Sequence, residues 1–111
     1  MEFVDLIEIR ELVQYQHVVA AVACLGERPM RYGELGTAIS EWTGSRIADG
    51  ELTRTVRRLE AGGLAEVVPG NDGHRLLKLT PEGHNRRKKA AALGKVLRDW
   101  TGDQAERETD Q

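Results

Sequence analysis

Leu52, Val56 and Leu59 recur at three- and four-residue intervals within "GELTRTVRRLEAGGL", with Thr55 beside them and charged residues between. That period predicts an amphipathic helix over about 49–62, with Asp49 as its cap. Gly62 or Gly63 supplies the left-handed residue that stops it, so that Leu64 can re-enter the core. Upstream, "FVDLIEIREL" has the pattern of a short amphipathic helix. "HVVAAVACLGE" continues as a largely apolar helix with Val18, Val22 and Leu25 on one side, ended by Gly26 and Pro29. "MRYGELGTAISEW" predicts the next helix, with Leu35, Ile39 and Trp42 repeating at helical spacing. Downstream the period changes. "LAEVV" and "RLLKL" are extended segments around "PGNDGH", a hairpin over about 65–79 with Asn71 and Asp72 as turn residues. Thr80 then caps a helix that opens on Pro81, carries Glu82 in its first turn and reaches about Trp100.

Helix, helix, basic helix, hairpin and final helix make a mainly α fold with a small β-hairpin wing, a winged helix-turn-helix. Residues 1–100 form one such domain with flanking dimerisation helices. Residues 101–111 have no apolar stripe and are expected to be a disordered acidic tail.

The net charge of −2 argues against a nucleic-acid binder until its distribution is considered. Residues 1–12 and residues 100–111 are each net −3, while residues 13–99 are net +4. Two acidic ends mask a basic body. With Leu52, Val56 and Leu59 inward, the opposite face of the helix centres on Gly50, Arg54, Arg57, Arg58 and Ala61. A helix fits the major groove of B-form DNA, and arginine offers a fork that matches guanine or phosphate. Arg54 is the candidate base reader, Arg57 and Arg58 are placed for phosphates, and Thr53 sits on the shoulder. Glu51 either accepts from a cytosine or complements the helix dipole. On the wing, His74 and Arg75 are the cationic candidates, and Arg31 is placed to meet a phosphate at the start of the preceding helix. The bland alternative is a solvated helix in which Glu60 pairs with Arg57.

The stretch from Met30 to about Gly83 resembles the HxlR-type family of bacterial winged-helix transcription regulators. Arg31, Tyr32, Glu34 and Leu35 of "RYGEL" fall on one family block. Ile47, Leu52, Thr53, Leu59, Glu60, Gly63 and Leu64 fall on a second, and Leu79, Thr80 and Gly83 of "LKLTPEG" on a third. The chain departs in Ala48, Val56 and Gly62, and in a longer link "SEWTGSR". MarR-like and PadR-like regulators share the strand exit. The resemblance implies a homodimeric regulator, taken here as a repressor, whose two reading helices meet a pseudopalindromic double-stranded DNA site. The dimer is expected to form through the N-terminal helices and helix 81–100, where Leu93, Val96, Leu97 and Trp100 make an apolar stripe.

No other chemistry competes. His17, His74 and His84 have no metal-ligand spacing, Ser40 and Ser45 have no acid–base partners, and the glycines lack a phosphate-loop lysine. The expectation is a non-enzyme with no catalytic residue, metal or cofactor. The single cysteine, Cys24, allows no internal disulfide and suits a reducing cytoplasm. Its apolar flanks favour an inert, buried thiol over redox sensing. The longest uncharged run, residues 12–26, is too short and polar to span a membrane. The opposing function class is a winged-helix protein-interaction module.

Overall fold

The computed structural model describes residues 4–7, 10 and 15–99 in full, and the backbone of residues 100–109. Its elements are α1 (Gln16–Leu25), α2 (Tyr32–Thr43), α3 (Asp49–Ala61), β1 (Ala65–Pro69), β2 (Arg75–Leu79) and α4 (Pro81–Thr109). Residues 4–7 are also helical, and Asp5 meets Lys89 of α4 at 2.6 Å. This is a mainly α, winged helix-turn-helix fold.

Helix α1 is the hub. Its Ala20 and Ala21 are fully buried, and such small side chains let α2 lie close. Val18, Val22, Cys24 and Leu25 complete its inner surface. Leu35 and Ile39 of α2, Leu52, Val56 and Leu59 of α3, and Leu77 and Leu79 of β2 close the core around it. Full burial of one such side chain contributes about 1.5–3 kcal/mol. Thr55 is the buried polar member, and its hydroxyl is satisfied by the Glu51 carbonyl at 2.8 Å.

Ser40 fixes the link between α2 and α3. Its Oγ donates to the Gly36 carbonyl at 2.9 Å and accepts the Ile47 amide at 3.0 Å. Ile47 is thereby drawn into the core, and the longer connector becomes an ordered turn. The end of α3 is a Schellman motif: the Leu64 amide reaches the Leu59 carbonyl at 2.8 Å, and the Gly63 amide reaches Glu60 at 3.0 Å. Gly63, at φ 70°, is the left-handed residue that makes the turn.

The hairpin pairs Ala65 with Leu79 through Pro69 with Arg75, antiparallel. Thr80 caps α4 as expected, its Oγ1 accepting the Gly83 amide at 3.1 Å.

Three expectations need correction. Met30 is not helical: it bridges to Leu77, exchanging both backbone hydrogen bonds at 3.0 and 2.7 Å, and α2 begins at Tyr32. A single bridged residue has no period by which a sequence could announce it. The cap of α3 is Ala48, without a side-chain bond, and Asp49 is the first helical residue. Finally, α4 does not stop near Trp100 but continues to Thr109. Gly102 costs a helix only about 1 kcal/mol, and alanine, glutamate and arginine beyond it are good helix formers. Trp42, at helical spacing from Leu35 and Ile39, is 56% exposed. At the end of α2, Trp42 borders an open groove of about 590 Å³ with Val19, Ala90 and Gly94.

Candidate nucleic-acid interface

Helix α3 presents its outward face as the heptad geometry requires. Leu52, Thr55, Val56 and Leu59 are buried, while Arg54, Arg57 and Ala61 are exposed. Its two flanks are anchored differently. On one, the Thr53 hydroxyl donates to the Asp49 carbonyl at 3.0 Å and meets the Tyr32 hydroxyl at 2.6 Å. On the other, Glu51 gathers Arg54, Arg58 and the His17 ring.

Arg54 donates to Glu51 Oε2 through Nε at 3.2 Å and Nη2 at 2.8 Å. His17 Nδ1 lies 3.3 Å from Oε1, and Arg58 Nη1 lies 3.6 Å from the same oxygen. The Arg54 and His17 hydrogen bonds hold the Glu51 carboxyl below its ordinary range, against the opposing effect of desolvation. Arg58 also stacks over the Tyr15 ring at 4.0 Å, so its guanidinium is turned toward the N-terminal side of the domain. Arg57 makes no ion pair among the described residues, and Glu60 does not reach it. Of the three arginines of α3, Arg57 carries its charge outward unneutralised, Arg54 is braced, and Arg58 is tied down.

The wing flanks α3. Arg75 and Leu76 border the same notch as Glu60 and Tyr32. His74 and Arg75 are exposed. Asp72 organises the tip: its Oδ1 accepts the His74 amide at 3.1 Å, and its Oδ2 accepts from Arg31 Nη2. Those two contacts, the His74 amide first and the Arg31 charge after desolvation opposes it, hold the Asp72 carboxyl low. Arg31 is thus both the cap residue of α2 and the strut of the wing. The Glu34 carboxylate accepts the Arg31 backbone amide at 3.1 Å and is lowered chiefly by that bond.

The fold therefore brings Arg31, Thr53, Arg54, Arg57, His74 and Arg75 to the α3 and wing side, with Arg58 at its edge. Sequence reasoning missed the partners. Tyr32 and Asp72 meet partners 17 and 41 residues away, and Glu51 meets His17 34 residues away besides its local bond to Arg54; no local period announces the distant contacts. It also passed over Arg46, exposed in the turn before α3 and without an ion pair among the described residues. The general signal for Arg46 was there: a cation in the turn that leads to the basic helix.

Cys24 is buried, and burial, followed by Glu27 and Glu41, pushes its thiol up. A raised thiol holds little thiolate and reacts slowly. Among the described residues no helix is long and apolar enough to cross a membrane.

Solved structures share the architecture. A probable transcriptional regulator from Pseudomonas aeruginosa superposes with a TM-score of 0.61 at 24% identity, over 72% of this chain and 58% of that one. A MarR-family transcriptional regulator from Silicibacter pomeroyi gives 0.64 at 18% identity, over 85% and 64%. A transcriptional regulator from Thermotoga maritima gives 0.58 at 20%, over 97% and 80%. The chain thus spans less than two thirds of the first two proteins. Likeness at these identities shows the winged helix-turn-helix fold. No family model matches the chain. No curated protein matches it either.

Proposed function

We propose that this chain is a sequence-specific double-stranded DNA-binding protein, a homodimeric transcription regulator of the HxlR type that acts as a repressor in the cytoplasm. The observation that carries the reading is the outward edge of α3: Arg54 and Arg57 exposed on a helix whose other face is buried, with His74 and Arg75 on the adjoining wing. Helix 49–61 enters the major groove, and Arg54 meets a base. Arg57, Arg31 and Arg46 take phosphates, and the wing lies along the neighbouring minor groove. A solved transcription regulator with the same fold supports the reading by analogy.

Dimerisation is supported by apolar side chains that the domain leaves in water. Val96 is 62% exposed on α4, and Val4, Leu6 and Ile7 are exposed on the N-terminal helical residues. Two such chains present two reading helices, and a pseudopalindrome follows from their two-fold symmetry.

The test is a fluorescence titration of the protein on a random-sequence duplex pool at several salt concentrations, followed by selection of the tightest duplexes. Salt-dependent binding and convergence on a pseudopalindrome support the reading. No binding to any duplex at low salt excludes it and favours a protein-interaction module.

A further inference from the structure

Glu51 sits where a DNA-facing helix would be expected to avoid negative charge. It lies in the first turn of α3, beside the arginine best placed to read a base. Helix-dipole complementation explains an acidic residue there, but not its geometry. One oxygen of the carboxylate takes the side edge of the Arg54 guanidinium, Nε and Nη2 together. The other oxygen is held by His17 of α1 and by Arg58, and Arg58 is fixed in turn on Tyr15. The carboxylate is therefore held from three sides, by groups on two elements.

Arg54 is directed by this arrangement. Its guanidinium folds back over Gly50, where a Cβ would lie 3.6 Å from Nη1. That is the N-terminal turn of α3, the part of a reading helix that meets base edges. With Nε and one Nη2 hydrogen engaged, the donors left are on Nη1 and the far side of Nη2. Those form the end-on edge of the fork, two parallel N–H groups that match O6 and N7 of guanine. A free arginine would instead settle on a phosphate, the contact that dominates non-specific binding.

We propose, resting on the DNA-reading assignment of α3, that Glu51 is a specificity-determining positioning residue: it presents the end-on edge of Arg54 to a guanine and withholds that arginine from the phosphate backbone. Specificity is thereby gained at the expense of non-specific affinity. The roles of Arg57 and Arg46 are untouched, because neither contacts Glu51.

The experiment compares wild type with Glu51→Gln, which keeps the shape without the charge, Glu51→Ala, and Arg54→Lys, which keeps the charge without the fork. Each is titrated on the tightest wild-type duplex and on a permuted duplex of the same composition, at several salt concentrations. Thermal melts verify folding. Both Glu51 variants should bind the permuted duplex about fivefold tighter, the effect of one unit charge near 4 Å in water. Their salt slope should steepen by about 0.9, one phosphate gained. The ratio of selected to permuted affinity should fall about tenfold or more, as for loss of one bidentate base contact. Arg54→Lys should lower the ratio without changing the slope. A merely structural Glu51 would weaken both duplexes in parallel and leave the slope alone, which overturns the proposal. So does a folded Glu51→Gln protein with the wild-type ratio, or a selected site with no fixed guanine. Absence of wild-type binding to any duplex removes the reading of α3 itself, an outcome distinct from these.

Discussion

The Tyr32 hydroxyl lies 2.6 Å from Thr53 Oγ1, and Thr53 already gives its proton to the Asp49 carbonyl at 3.0 Å. Tyr32 is therefore the donor, and the first residue of α2 is tied to the second turn of α3. That bond joins the two helices on their exposed side. Tyr32→Phe should lower stability by about 0.5–1.5 kcal/mol, the usual net contribution of one hydrogen bond. Urea denaturation measures this, and a loss above that range would mean the phenol also packs in a way its exposure does not indicate.

Gly83 and Gly33 should respond oppositely to alanine. A Cβ on Gly83 would collide with the Leu64 carbonyl oxygen, a backbone atom that cannot step aside. Gly83→Ala should cost about 1–3 kcal/mol or more, as overpacking does. A Cβ on Gly33 meets nothing within 4 Å, so Gly33→Ala should stabilise by up to about 1 kcal/mol. Two melting curves decide it; equal shifts would contradict the packing described.

Arg57 and Arg58 are neighbours in different surroundings: Arg57 is exposed, and Arg58 lies over the Tyr15 ring. Arg57→Ala should leave stability unchanged and reduce the salt slope of DNA binding by about 0.9. Arg58→Ala removes the stack on Tyr15 and should cost about 0.5–1 kcal/mol of stability. If Arg58→Ala instead matches Arg57→Ala in both measurements, its guanidinium leaves Tyr15 when DNA is present.

Val96→Glu tests the dimer. The side chain is 62% exposed, so within one chain the change should move stability by no more than about 0.5 kcal/mol. If α4 pairs across a two-fold axis, a buried carboxylate there should shift sedimentation toward monomer and abolish cooperative binding to paired half-sites. An unchanged dimer would place the contact elsewhere.

Acid should loosen the wing tip. The Asp72 carboxyl is lowered by the His74 amide and, after opposing desolvation, by Arg31. A depressed folded value means the contacts are complete above the unfolded aspartate value, about 3.9, and are lost as pH falls through the folded one. The His74 amide signal should therefore shift on titration below about pH 4, and Asp72→Asn should remove that response. A His74 amide indifferent to acid would show that the turn holds without the carboxylate.

What the sequence disclosed was whatever repeats. The inward stripe Leu52, Val56 and Leu59, the valine-rich and leucine-rich strands, the Thr80 cap and the terminating glycines each follow local rules, and the structure has them in place. The outward position of Arg54 and Arg57 follows from the same period. Two features that the sequence did not disclose lie where tertiary contact decides. Met30 is recruited by Leu77 from 47 positions away, and Trp42 is left exposed beside an open groove. Side-chain direction at the end of a long arginine is set by its acceptor, and Asp72 meets Arg31 only after folding.

Thr80 has a second partner besides the helix it caps. Its Oγ1 donates to the Gly63 carbonyl at 2.6 Å, and its amide donates to the Leu64 carbonyl at 3.0 Å. Both ends of the hairpin are thus clasped at one point, against the first turn of α4. The wing is a closed detour from the rest of the chain, which enters and leaves it at the same place. Evolution can lengthen, shorten or recharge the tip at 70–74 without moving a core residue, since exposed loop tips tolerate such change. The hairpin is thereby a module whose length and charge can change independently of the helices that carry the core.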